Sequence, residues 1–147
     1  MAKVSPFDRV SGATTSERVT LQRLDETIPL ELHEQIRLLK IDVEGAECSA
    51  LQGAEGILRN AKNLIVLVEI TPDRLQDLGG SAAAIFEFME RMGYSPHHIP
   101  NDYTAESYFD RRSSLELTPV TAIPESPCDL LFARAETLRT TELPIRA

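Results

Sequence analysis

With 147 residues the chain is long enough to bury one core and too short to require two. A composition that is 42% apolar and 26% charged is that of a globular protein rather than a disordered or membrane one, and with five Phe, three Tyr and no Trp its core should be aliphatic. The formal charge of −8 argues against nucleic acid or an anionic membrane as partner, since such binding rests on clustered Lys and Arg.

The opening stretch, "MAKVSPFDRV", lacks the apolar core of a secretory signal, and no later run approaches the roughly 18 to 20 residues of a membrane span, so a cytoplasmic protein is expected. Residues 1–18 read as an irregular N-terminal segment. "RVTLQRL" then alternates in strand fashion, with Val19, Leu21 and Leu24 facing inward. "IRLLKIDV" suits a buried strand, parallel to its neighbour and covered on both faces, which delivers Asp42 and Glu44 at its carboxyl end. From Ala46 the period changes, and Ala50, Leu51, Ala54, Ile57, Leu58 and Ala61 mark one face of a helix of about four turns. "NLIVLVEI" is a second buried strand ending in Glu69, so that strand, helix and strand form a βαβ unit.

Thr71, Pro72 and Asp73 resemble a helix start with proline in the first turn, and the Gly79–Gly80 pair ends that helix. Ser81 caps the next one, whose buried stripe is Ile85, Phe88, Met89 and Met92, with Gly93 placed for a left-handed end. "YSPHHI" is a candidate strand. Residues 100–127 carry four prolines and little periodicity and read as a long surface loop. "CDLLFAR" closes the sheet within a domain spanning 19–134, and 135–147 read as a tail. The fold class expected is α/β: a mostly parallel sheet with helices on its faces.

In such sheets ligands lie beyond the carboxyl ends of the strands, which brings Asp42, Glu44 and Glu69 to one edge. Carboxylates there can accept a ligand hydrogen bond, act as a general base or hold a hard cation; the plain alternative is that each caps the helix after it. For Glu47 capping or surface exposure is the favoured reading. No metal site is expected: His97 and His98 would point to opposite sides of a strand, and Cys48 and Cys128 lie too far apart in sequence for a zinc motif. Both are expected to be reduced thiols. Neither G-x-x-x-x-G-K-[ST], G-x-G-x-x-G nor G-x-S-x-G occurs, which removes phosphate-loop, dinucleotide and serine-hydrolase readings.

"LDETI", "LLKIDVEGAECSALQGAEGIL", "NLIVLVEI" and "FMERMGY", taken together, resemble the C-terminal half of the FkbM-type methyltransferases over residues 19–98. The shared pattern is a strand ending in K-x-D-x-E-G-x-E, a helix with L-x-G-A and a strand ending in glutamate. The resemblance implies a Rossmann-like, class I methyltransferase-type sheet and transfer of a methyl group from S-adenosylmethionine, usually to a hydroxyl oxygen of a small-molecule, sugar or lipid-like acceptor. By position it makes Asp42 and Glu69 the catalytic candidates, and Asp42, Glu44 and Gly45 the cofactor contacts.

Such enzymes also bind the cofactor through a glycine-rich turn after their first strand and an acid after their second. Only 39 residues precede Lys40, and they hold no such turn, so the N-terminal cofactor-binding strands are expected to be absent. The chain is then expected to be one of two things. Either it is the acceptor-side portion of an enzyme completed by a second chain or an N-terminal half, or it is a noncatalytic binding or oligomerisation module.

Overall fold

The computed structural model describes residues 19–100 and 116–141 together with 143 and 145. Among these, five strands form one sheet: β1 (Leu38–Ile41), β2 (Ile65–Ile70), β3 (Ser95–Ile99), β4 (Thr118–Pro119) and β5 (Cys128–Ala133), in the spatial order β1-β2-β5-β3-β4. Only β1 and β2 pair in parallel; β2–β5, β5–β3 and β3–β4 are antiparallel. The mostly parallel sheet expected from the sequence is therefore corrected to a mixed one. The reason is that β5 returns through a long connection and inserts, reversed, between β2 and β3, an insertion that no local periodicity announces.

Period-2 alternation divides the sheet into two unlike faces. Leu39 and Ile41, Val66, Val68 and Ile70, and Leu130 and Phe132 turn toward the main core. That core is completed by helices α3 (Glu47–Gly53), α4 (Glu55–Asn60), α5 (Pro72–Asp77) and α6 (Ala82–Arg91), so all four lie on the same side. Two further short helices, α1 (Leu24–Thr27) and α2 (Leu30–His33), contact α3 and α4. On the opposite face Leu117, Leu131 and Ala133 make a smaller cluster with Ile65, Leu67, Ile99, Leu138, Leu143 and Ile145. Leu138 belongs to α7 (Ala135–Thr140), which occupies the start of the segment read as a tail.

Three local expectations change. Residues 19–23 form no strand: Val19 and Leu21 are exposed, and Leu24 already starts α1. The single four-turn helix is two, broken at Ala54 (φ −108°, ψ 7°). That break is stabilised from outside, because the Arg23 guanidinium donates to the Gln52 carbonyl at 2.8 Å and the Asp25 carboxylate accepts from the Gly56 N–H at 3.0 Å. The orphan groups of one helix end and the next helix start are thus satisfied, and Leu51, Ala54, Ile57, Leu58 and Ala61 all remain buried on one side. Thirdly, β1 is not covered on both faces but lies at the sheet edge, with Leu38 57% exposed. Part of the expected surface loop is also ordered, since Thr118 and Pro119 form β4; residues 101–115 and 1–18 lie outside the described part.

The ends of α5 and α6 fall where the sequence places them, although Thr71, at the N-cap of α5, makes no side-chain cap hydrogen bond. The Ser81 hydroxyl accepts from the Ala84 N–H at 3.1 Å, Pro72 stands in the first turn of α5, and Gly93 (φ +81°) lets the Tyr94 N–H reach back to the Met89 carbonyl at 3.0 Å.

Candidate functional site

The parallel register pairs Leu38 with Ile65 and Ile41 with Val68; extended by one residue it sets Asp42 beside Glu69. Both side chains fall on the less covered face of the sheet, opposite α3–α6, and neighbouring strands only about 4.8 Å apart put their carboxyl groups within reach. The same alternation brings Lys40 to that face, where its ammonium donates to the Asp42 carboxylate at 2.7 Å. The antiparallel partner of Glu69 is Asp129 on β5. Asp42 and Glu69, expected from the sequence, are thus brought together, and Lys40 and Asp129 join them.

These neighbours push the two carboxyl groups apart. The hydrogen bond and charge of Lys40 hold Asp42 below the ordinary aspartate range, helped by a hydrogen bond with Glu69. Partial burial raises Glu69 above its ordinary value of 4.5, and the charge of Asp42, their shared hydrogen bond and the charges of Asp129 and Glu44 raise it further. Asp42 is therefore the ionised acceptor and Glu69 the member that keeps a proton longest.

The direction of the Glu69 shift also makes stability depend on pH. A carboxyl group that holds its proton more tightly folded than unfolded favours folding while protonated, so its contribution is lost as pH rises from 4.5 through the folded value. Glu69→Gln is expected to be more stable than the unaltered chain at pH 7 and to flatten the decline above pH 4.5. Urea titrations across pH 4 to 8 check this; equal stability of both proteins at pH 7 would contradict it.

The loop between β1 and α3 is held from the helix side. Glu44 (φ +52°) and Gly45 (φ +108°) are both left-handed, a conformation that costs a non-glycine residue about 1 kcal/mol. At Gly45 a Cβ would lie 2.4 Å from the Arg74 carbonyl oxygen, so only glycine fits. One oxygen of Glu47 accepts from the Gly45 N–H at 3.0 Å and from the Val43 N–H at 3.3 Å. Glu47 is 2% exposed, which overturns the surface reading of this residue, and its second carboxylate oxygen has no hydrogen-bond partner among the described residues. Glu44 itself is exposed.

Among the described residues no group of His, Cys, Asp and Glu is arranged to hold a metal ion. His97 is buried on β3 with its Nδ1 3.3 Å from the Ser95 carbonyl, while His98 points to the other face. Cys48 and Cys128 are free thiols. The groove between α3 and α6, lined by Cys48, Leu51, Gln52, Ala84, Ile85 and Phe88, encloses about 20 Å³, room for little more than a water molecule. No described helix is long and apolar enough to cross a membrane.

Sequence reasoning missed three members of this region. Lys40 was readable in principle, since residues two apart on a strand share a face. Asp129 was not, because its position depends on where β5 inserts. Glu47 closes the K-x-D-x-E-G-x-E pattern, yet its burial was not read from it, as an acid in the first turn of a helix is ordinarily solvated.

Residues 3–96 match the family model of the methyltransferase FkbM domain. No curated protein and no solved structure matches the chain.

Proposed function

The chain belongs to the FkbM methyltransferase family, and from that premise we propose that it carries the acceptor side of a site transferring a methyl group from S-adenosylmethionine to a hydroxyl oxygen of a small-molecule, sugar or lipid-like acceptor. The observation that carries this reading is the Asp42–Glu69 pair, whose members are driven to opposite protonation preferences. An acceptor hydroxyl donates its hydrogen to Asp42, which Lys40 keeps ionised. Because the same ion pair makes Asp42 a weak base, its task is to orient the oxygen; Glu69, once deprotonated, is the stronger base of the two.

The described residues suit only part of the methyl donor. Asp42 and Glu44 offer negative charge to a sulfonium cation, and the left-handed turn at Gly45 lets the backbone come close. No glycine-rich cradle for an adenosyl group is found among the described residues, and the Gly45 N–H is already given to Glu47. On this reading the remaining contacts of the donor come from a second polypeptide or an N-terminal half that pairs with the edge of β1 left open among the described residues. The Ile65 N–H bonds the Arg37 carbonyl, so in a parallel ladder the backbone groups of Leu38 and Lys40 face away from β2. The other sheet edge is blunted by the two-residue β4 with its proline.

The same open edge favours a second reading, in which the chain is a binding or oligomerisation module without chemistry. Mixing the protein with the N-terminal half of an FkbM-type enzyme and S-adenosylmethionine carrying a tritiated methyl group separates the two. Label entering hydroxylated acceptors only in the mixture supports the enzyme reading. In that mixture Asp42→Asn should lower transfer about 10²-fold, the scale of a misplaced acceptor; unchanged turnover would remove Asp42 from the reaction.

A further inference from the structure

We propose that Glu47 is the positioning residue of the carboxylate pair: its buried side chain fixes the five residues between β1 and α3 so that Asp42 stays beside Glu69. This rests on the proposed function only in taking that pair as the working groups. Asp42 is the first residue after β1; Lys40 and Glu69 hold its side chain, but among the described residues its backbone lies beyond the ladder of an edge strand paired on one side. The chain then enters a strained turn, with Glu44 and Gly45 both at positive φ. Such a turn persists only where its surroundings determine it.

Here the determining contact is a single carboxylate oxygen that receives the N–H groups of Val43 and Gly45, flanking Glu44 on either side. The cost of this device argues for a purpose. A solvated Ser, Asn or Asp could close a turn without burying a carboxylate, yet Glu47 is 2% exposed and one of its oxygens is left without a partner among the described residues. Gly45 lies against the Arg74 backbone, so α5 limits movement of the turn from the other side. The clamp sits on the helix side of the sheet and Asp42 on the open side. Glu47 therefore acts on Asp42 through the backbone and does not reach an acceptor placed there.

The test reads the titration of Asp42 and Glu69, using carboxyl-carbon NMR of the full chain with hydrogen exchange at Val43 and Gly45. In Glu47→Ala the two amides should lose their slow exchange, and the Glu69 midpoint should fall toward the ordinary glutamate range, as is also expected in Asp42→Asn, while core methyl signals persist. Glu47→Gln, whose amide oxygen can receive both N–H groups, should keep both the protection and the Glu69 midpoint. An unchanged Glu69 midpoint in Glu47→Ala would overturn the proposal. So would loss of the whole fold in that variant, which would make Glu47 a general structural residue, or loss of the coupling in Glu47→Gln with the amides still protected. None of these readouts requires methyl transfer, so the two readings fail separately.

Discussion

Replacing Arg134 by alanine is expected to lower the unfolding free energy by about 2–4 kcal/mol, read as a reduced urea midpoint with an unchanged slope. Arg134 precedes α7, and its guanidinium donates to the Leu58 carbonyl at 2.6 Å, the Ala61 carbonyl at 3.1 Å and the Met92 carbonyl at 3.4 Å. Leu58 and Ala61 lie at the carboxyl end of α4 and Met92 at that of α6, where carbonyls lack intrahelical partners and carry partial negative charge. One cation thus closes two helix ends. It also stacks over the Tyr94 ring, 4.7 Å from the centroid, while the Tyr94 hydroxyl donates to the same Leu58 carbonyl at 3.0 Å. Alanine removes the three guanidinium hydrogen bonds and the ring contact; Leu58 keeps the Tyr94 hydroxyl, while the Ala61 and Met92 carbonyls lose the guanidinium. Lysine restores charge without the planar fork, so Arg134→Lys should recover only part of the loss. A loss under about 1 kcal/mol in Arg134→Ala would mean that water replaces the guanidinium at little cost.

Gly45→Ala should cost about 2–4 kcal/mol, because it combines an unfavourable backbone conformation with a collision against main chain that no rotamer change relieves. The matched control is Gly79→Ala. Gly79 also has positive φ (+76°), yet a Cβ there would meet nothing within 4 Å, so only conformational strain of about 1 kcal/mol is expected. The difference between the two isolates the contact with the Arg74 carbonyl, and equal losses would show that α5 yields instead. Because the turn sets the position of Asp42, Gly45→Ala should also disturb the Asp42–Glu69 pairing, which Gly79→Ala should leave intact.

Much of the α/β layout could be read from side-chain periodicity. The alternating burial of Ile65 through Ile70, the stripe Ile85, Phe88 and Met89, the Ser81 cap and the Gly93 helix end are local matters. Each is decided by the backbone and side chains of a few neighbouring residues. Errors arose where a distant segment intervened. Arg23 and Asp25 broke what reads as one helix, since they satisfy backbone groups 29 and 31 positions away. β1 read as a doubly covered strand because its apolar run resembles a central one, whereas the described sheet leaves its outer edge open.

For the site the division is sharper. Residue order alone places acids at the carboxyl ends of two apolar strands, and the motif around them pointed to a methyltransferase family that the family match bears out. It took the folded chain to run β1 and β2 in parallel with Asp42 and Glu69 on the same face, to set Lys40 where it favours the charged form of one while burial favours the neutral form of the other, and to bury Glu47 beneath them. Residue type and period are properties of short stretches of chain, whereas protonation and burial depend on which charges and surfaces the fold brings together across strands.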